Sequence, residues 1–358
     1  MQAITFIAFL SLVAFVFLCP SDAALVSTID STVAANGDQN PYGVAIALQN
    51  FSDVLQEGDV LVSNFNNAAN QQGTGTTIMR FPRGAAPATL WAHINASQVQ
   101  CTGGIGLTTA LVILKTGFVI VGSLPTLNGT FQTARSGCLI LLNSRGIVVS
   151  TFEDGINGPW DATLGPHPTD RNKELLFVTN ILNGNVTADG PHPVNLGTVV
   201  RFEVDEDPEG KQPPRIHSGT IIGTGFGQMG DPVDLLFGPT GMGLDGETLF
   251  VVDRLYNRIA AIPDARQRSI TAYAGEDVTA NRLINKPLGL FFDESRGTIF
   301  SANAGDSYIV ETAVDGRQLN TFNTTVGADG LFGIALAQDG SIFFVDNNTN
   351  TLKRLILL

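Results

Sequence analysis

One β-rich unit recurs six times along this chain, and repetition at this spacing constrains the fold more than any other feature of the sequence. Each copy opens on a short motif, Pro-x-Gly followed by apolar residues. Clear copies are Pro41-Tyr42-Gly43-Val44, Pro239-Thr240-Gly241-Met242 and Pro287-Leu288-Gly289-Leu290. Degenerate copies are Gly104-Ile105-Gly106-Leu107, Pro159-Trp160-Asp161-Ala162 and Leu331-Phe332-Gly333-Ile334. A strand-forming run follows each motif, at 60–64, 118–122, 176–180, 249–253, 299–303 and 342–346, and usually ends in a polar residue. A third run follows at 77–81, 138–142, 198–202, 258–262, 308–312 and 352–356. A small antiparallel sheet of this kind cannot bury both faces alone, so the copies must stack around an axis to make a core. The sixth copy reaches Leu358 before a fourth strand can form, whereas the run 25–29 precedes the first motif without a sheet of its own. The economical solution is an all-β, six-bladed β-propeller closed by that N-terminal strand, which completes the last blade and removes the open edges.

Composition agrees with short buried strands and tight turns: 15% of residues are charged, 44% are hydrophobic and 39 are glycine. A net charge of −13 argues against nucleic-acid and anionic-membrane partners, because a phosphate surface would repel the chain. Ahead of the repeats, Ile4 to Leu18 is apolar except for Thr5 and Ser11, and small residues follow at Ser21 and Ala23. That pattern reads as a secretory signal over residues 1–23, leaving 24–358 as one propeller domain. The run is short for a membrane span. The expected product is a secreted, extracellular, monomeric protein.

Cys19 falls within the signal, so Cys101 and Cys138 remain. In an oxidising compartment two cysteines most often pair. Cys101 lies just before the innermost strand of blade two and Cys138 opens its third strand, so both fall at one end of the blade and a disulfide is expected. Sequons at Asn50, Asn95, Asn128, Asn185, Asn323 and Asn347 are candidate glycan acceptors.

The stretch LFVVDRLYNRIAAI at 249–262 resembles the NHL repeat, and IFFVDNNTNTLKRLI at 342–356 is a weaker copy. The resemblance extends to secreted NHL-type propellers and, by fold, to the gluconolactonase superfamily. It speaks for architecture and hardly at all for chemistry. Lactonases of that superfamily place Asn or Asp in the Pro-x-Gly position to hold a divalent cation. Here those positions are Tyr42, Ile105, Trp160, Thr240, Leu288 and Phe332, so neither the metal nor another cofactor is expected. The superfamily's zinc-dependent lyases draw histidines from several blades. His93, His167, His192 and His217 show no such pattern.

A ligand site is expected at the channel mouth where the innermost strands begin. Its binding candidates are Tyr42, Trp160, Asp161, Thr240, Leu288 and Phe332, with Asn64, Asn180 and Asn303 at the ends of second strands. The long loops 64–76, 122–137 and 180–197 build up one half of that face, and long loops are where sites tend to lie. The polar residues after second strands, with Asp253 and Asp346 in the series, equally suit turn capping. Asp161 is the one catalytic candidate. A carboxylate beside an aromatic can serve as a general base or grip a sugar hydroxyl, and can equally cap a strand. Arg135 and Arg254 sit in loops of the same face and could meet an anion. The leading reading is a binding module for a small molecule, carbohydrate or protein at the channel. The alternative is a hydrolase or lyase on a small extracellular substrate, and the residues leave the question of enzymatic activity open.

Overall fold

The structure, a computed structural model, describes residues 24–84, 86–184, 190 and 192–358. The expected signal segment and the Asn185 sequon lie outside the described residues.

Six antiparallel sheets surround a central channel as the blades of a propeller. Blade one runs Gln39–Ile46, Val60–Asn66, Thr77–Phe81 and Thr89–His93 from the axis outward, and blade two runs Leu107–Ile113, Val119–Ser123, Cys138–Leu142 and Val148–Phe152. Blade three is larger. Its third and fourth strands, Val194–Asp205 and Thr220–Asp231, are the longest in the protein, and a short strand Leu235–Phe237 folds back on the last of them. Blades four and five begin at Pro239–Asp245 and Pro287–Asp293 and have four strands each. Blade six is closed as expected: Ala24–Ser31 pairs antiparallel with Thr351–Leu357, outside Ile342–Asp346 and the innermost Leu331–Leu336. The first and last strands of the chain thus share one sheet, and the ring has no open seam.

The Pro-x-Gly motif has a steric cause. In every innermost strand the ladder is interrupted just after the motif's first residue, as between Pro41 and Val44 and between Pro287 and Leu290. At that bulge adjacent blades approach most closely. A Cβ on Gly333 would sit 2.1 Å from the carbonyl oxygen of Tyr42, and one on Gly241 would sit 2.3 Å from the amide nitrogen of Leu290. Glycine is therefore required at this position in blades one, four, five and six, where a Cβ on Gly43, Gly241, Gly289 or Gly333 would meet the neighbouring strand.

Blade two departs from the expected register. The first residue of the motif pairs with the polar end of the second strand, as Pro41 with Asn64 and Pro159 with Asn180, and in blade two this pair is Leu107 with Ser123. The channel-facing position is therefore Thr108 and not Ile105. Side-chain bonding agrees. Ser63 donates to the Thr108 carbonyl at 2.7 Å, just as Thr179 donates to the Thr240 carbonyl at 3.3 Å in the next pair but one.

The disulfide joins Cys101 to Cys138, with Cα atoms 5.7 Å apart. It ties the approach to blade two to the start of its third strand.

Candidate functional site

The six residues after the motif's first position form a ring at the axis: Tyr42, Thr108, Trp160, Thr240, Leu288 and Phe332. All are buried, none more than 8% exposed. Tyr42 is the hub, with ring centroids 4.5 Å from Phe65, 4.7 Å from Phe332 and 5.5 Å from Trp160. Leu124, Phe131, Ile181, Leu235 and Leu236 join the same buried cluster. The mouth at which the strands begin is thus filled by an apolar plug. Phe131 and Ile181 come from two of the long loops, which do build up this face. Leu235 and Leu236 come from the hairpin between blades three and four.

The plug controls its few polar groups. Burial pushes the Tyr42 hydroxyl well above its usual range, with the nearby Asp234 charge adding to the shift. The hydroxyls of Thr108 and Thr240 are buried without a hydrogen-bond partner. Three hydroxyls, those of Tyr42, Thr108 and Thr240, among three apolar side chains are a poor donor set for a hard cation, which takes six to eight oxygens. No cluster of three or more His, Cys, Asp or Glu suited to a metal occurs among the described residues. The divalent cation implied by the gluconolactonase resemblance therefore does not fit this ring.

The Asn series serves a different purpose. Asn64, Asn180 and Asn303 are buried at the ends of second strands. Their amide groups donate to the carbonyls of Thr32, Gly155 and Leu283, each in the segment leading into the same blade. Asp253 binds Arg258 at 3.1 Å, and Asp346 binds Lys353 at 2.9 Å and the turn amides of Asn348 and Thr349. The three asparagines fasten the segments that lead into their blades, and the two aspartates brace turns and strands within their own blades.

The opposite end of the channel is open. Below the plug lies a well of about 430 Å³, lined by the innermost strands of all six blades. Its wall is polar and apolar in about equal parts, and half-exposed Val44, Ile46, Ile113, Leu164, Phe292 and Leu336 are among the residues that face it. Polar side chains along the wall are Thr109, Thr163 and Asp161. Asp161 occupies the glycine position of blade three, next to Trp160, at the deep end of the well. Its backbone amide donates to Thr179 Oγ1 at 3.0 Å, and its carboxylate accepts from the Ala162 amide at 2.8 Å. It is half-buried on the well wall. Burial therefore drives its carboxyl well above the usual carboxylate range, and the single amide bond only partly opposes that. A carboxyl raised in this way, at the wall of a cavity, can donate or accept a proton or anchor a polar group.

The structure thus brings Tyr42, Trp160, Thr240, Leu288 and Phe332 together in a plug and sets Asp161 on its far side, in a different compartment. Two features lay outside the sequence reading. The open well has no motif of its own, since its wall is the downstream half of each innermost strand. The hairpin at 231–237 lies between repeats, where no periodic position predicts it.

No model of a known protein family matches this sequence, and a search among curated proteins finds no match. Solved structures do match in fold. A gluconolactonase from Xanthomonas campestris is 12% identical, with 94% of this chain and 90% of that one covered and a TM-score of 0.53. A luciferin-regenerating enzyme is 10% identical over 93% and 95%, with a TM-score of 0.55. A calcium-binding protein, regucalcin, from Agrobacterium tumefaciens is 13% identical over 92% and 93%, with a TM-score of 0.57. At such identities the likeness establishes the six-bladed propeller and nothing about chemistry.

Proposed function

We propose that this protein is a hydrolase or lyase that acts on a small substrate in the open well, with Asp161 as its proton-transfer group. One observation carries the reading: the well, walled by the innermost strands of all six blades, holds a single carboxyl, that of Asp161, without a cationic partner and raised by burial above the usual carboxylate range. Two proteins of the same fold, a gluconolactonase and a luciferin-regenerating enzyme, support small-molecule chemistry on such a scaffold. The apolar side chains of the wall would orient the substrate, and the hydroxyls of Thr109 and Thr163 would hold its polar atoms. Turnover of a panel of small lactones and esters by the wild type and Asp161→Asn tests this. The expected outcome is roughly 100-fold lower turnover with binding retained. Equal turnover by the two proteins would overturn it.

A specific observation favours a second reading, a binding module. The lining offers no nucleophile paired with a base, and one carboxyl with two hydroxyls is enough to orient a ligand without transforming it. Under that reading no panel member turns over, and Asp161→Asn changes affinity only a few-fold. Secretion is part of the proposal. A disulfide suits an oxidising compartment, and a mature protein from a eukaryotic secretory host should begin at Ala24. Asn50, Asn95, Asn128 and Asn323 are exposed and would accept glycans there.

A further inference from the structure

Asp231–Phe237 is a hairpin that ends in the axis of the propeller. Met229 pairs with Phe237 and Asp231 with Leu235, and the Asp231 carboxylate caps the tip by accepting from the amides of Val233 and Asp234 at 2.8 and 2.7 Å. The tip is exposed at Val233, whereas Leu235 and Leu236 enter the aromatic plug. Leu235 holds a φ of 68°. That is an unfavourable conformation for a bulky residue, and such strain persists only where the surroundings impose it.

Besides the burial of Leu235 and Leu236, the hairpin is held by a few polar contacts. Arg254 Nη2 binds Asp234 Oδ2 at 2.6 Å, and the guanidinium lies 4.7 Å over the Phe237 ring. Gln72 donates to the Val233 carbonyl at 2.6 Å. Arg254 is 7% exposed, and its Nε has no partner. It comes from the short turn of blade four, so it belongs to the scaffold and not to the hairpin. In the hairpin a carboxylate precedes two branched apolar side chains. Together they present an anion to a buried arginine and an apolar body to the aromatic ring beneath it.

We propose that Asp234, Leu235 and Leu236 occupy in cis a second ligand site, at the plugged mouth, whose natural class of ligand is a small carboxylate with an apolar body. Lifting the hairpin exposes Arg254 as the anion contact and the Tyr42, Trp160, Leu288 and Phe332 surface as the apolar contact. Because the closed hairpin competes for the same groups, apparent affinity is reduced by the fraction of molecules that are open. This site is separate from the well that holds Asp161, on the other side of the plug.

Isocaproate, a leucine-sized carboxylate, is the probe, titrated calorimetrically into the wild type, Asp234→Asn and the double variant Asp234→Asn/Arg254→Gln. Weakening the latch should raise affinity at least tenfold, and removing Arg254 should abolish the gain. Asp161→Asn should leave isocaproate binding unchanged, which separates this site from the well. Should Asp234→Asn fail to fold, hydrogen exchange in the wild type gives an independent answer. The Leu236 and Phe237 amides should exchange much faster than those of Val251 and Val252, and faster still with isocaproate. Affinity no higher in a folded Asp234→Asn would overturn the proposal. So would exchange at Leu236 as slow as in the blade core and indifferent to the probe.

Discussion

The two mouths of the channel are built from the same six strands, yet one is sealed and the other open. Where the strands begin, the chain lays extra material over the axis: Phe131 and Ile181 from long loops, and Leu235 and Leu236 from the hairpin. Where the strands end, tight turns such as those closed by Gly117 to Leu114 and Gly340 to Ala337 link the first and second strands. Apolar side chains at that end stay half-exposed around the well. Similar apolar residues thus serve as core at one mouth and as pocket wall at the other. The insertions decide which, and the repeat does not.

The largest expected effect breaks the sealed mouth. Trp160→Ala empties a buried position that packs edge-on against Tyr42 and Phe65. It should cost about 3–5 kcal/mol in chemical denaturation. Leu336→Ala, in the wall of the open well, should cost no more than about 1 kcal/mol because water already reaches that side chain. Equal losses at the two positions would mean that the well collapses in solution and that the contrast between the mouths is not real.

Removing the disulfide should rank next. Cys101 and Cys138 enclose a sequence separation of 37 residues, which includes the loop that carries Phe131 into the plug. The double substitution to serine should cost about 2–4 kcal/mol in denaturation. If the asymmetry between mouths is correct, it should also speed hydrogen exchange at Phe131 while Leu336 exchanges as before. Uniform acceleration around the ring would show that the bridge stabilises the whole propeller and not one mouth.

The sequence carried the architecture because the repeat is a direct imprint of packing. Gly43, Gly241, Gly289 and Gly333 are needed where blades touch, and the apolar runs are needed where strands are buried. Closure by the N-terminal strand followed from counting strands, and the disulfide from which end of the blade each cysteine occupies. Blade two misled because Gly104-Ile105-Gly106 imitates the motif three residues early, in the approach to the strand. Its true counterpart, Leu107-Thr108-Thr109, has neither the proline nor the glycine. Only the cross-strand partner, Ser123, fixes the register. Arg254 could be picked out as a charged residue in a channel-face loop. Its partner Asp234 could not, because an ion pair between a blade turn and an inter-blade insertion leaves no periodic trace. Asp161 stood out by replacing a glycine. That it faces a well on the far side of Trp160 follows from the bulge geometry, which alternates neighbouring side chains between the two compartments.

The smallest effect probes the open face through pH. Glu174 begins the second strand of blade three, opposite Pro166 at the end of the innermost strand. Its carboxyl is pushed from 4.5 up to about 7 by burial and by the neighbouring Glu206, against a weaker pull from Lys115. Lys115 itself sits 3.3 Å from Glu206. The folded protein therefore holds the Glu174 proton more tightly than the unfolded chain does. Below about pH 4.5 both states are protonated and this group costs nothing. Between 4.5 and 7 the unfolded chain ionises first, so stability falls as pH rises, and above 7 the loss is complete and constant. Glu174→Gln keeps a hydrogen-bonding side chain beside Glu206 without the charge. It should raise the melting temperature at pH 8 by a few degrees, on the order of 1 kcal/mol after solvent screening, and leave it nearly unchanged at pH 4.5. A matching rise at both pH values would assign the gain to packing and remove the carboxyl pair as a source of strain at the open mouth.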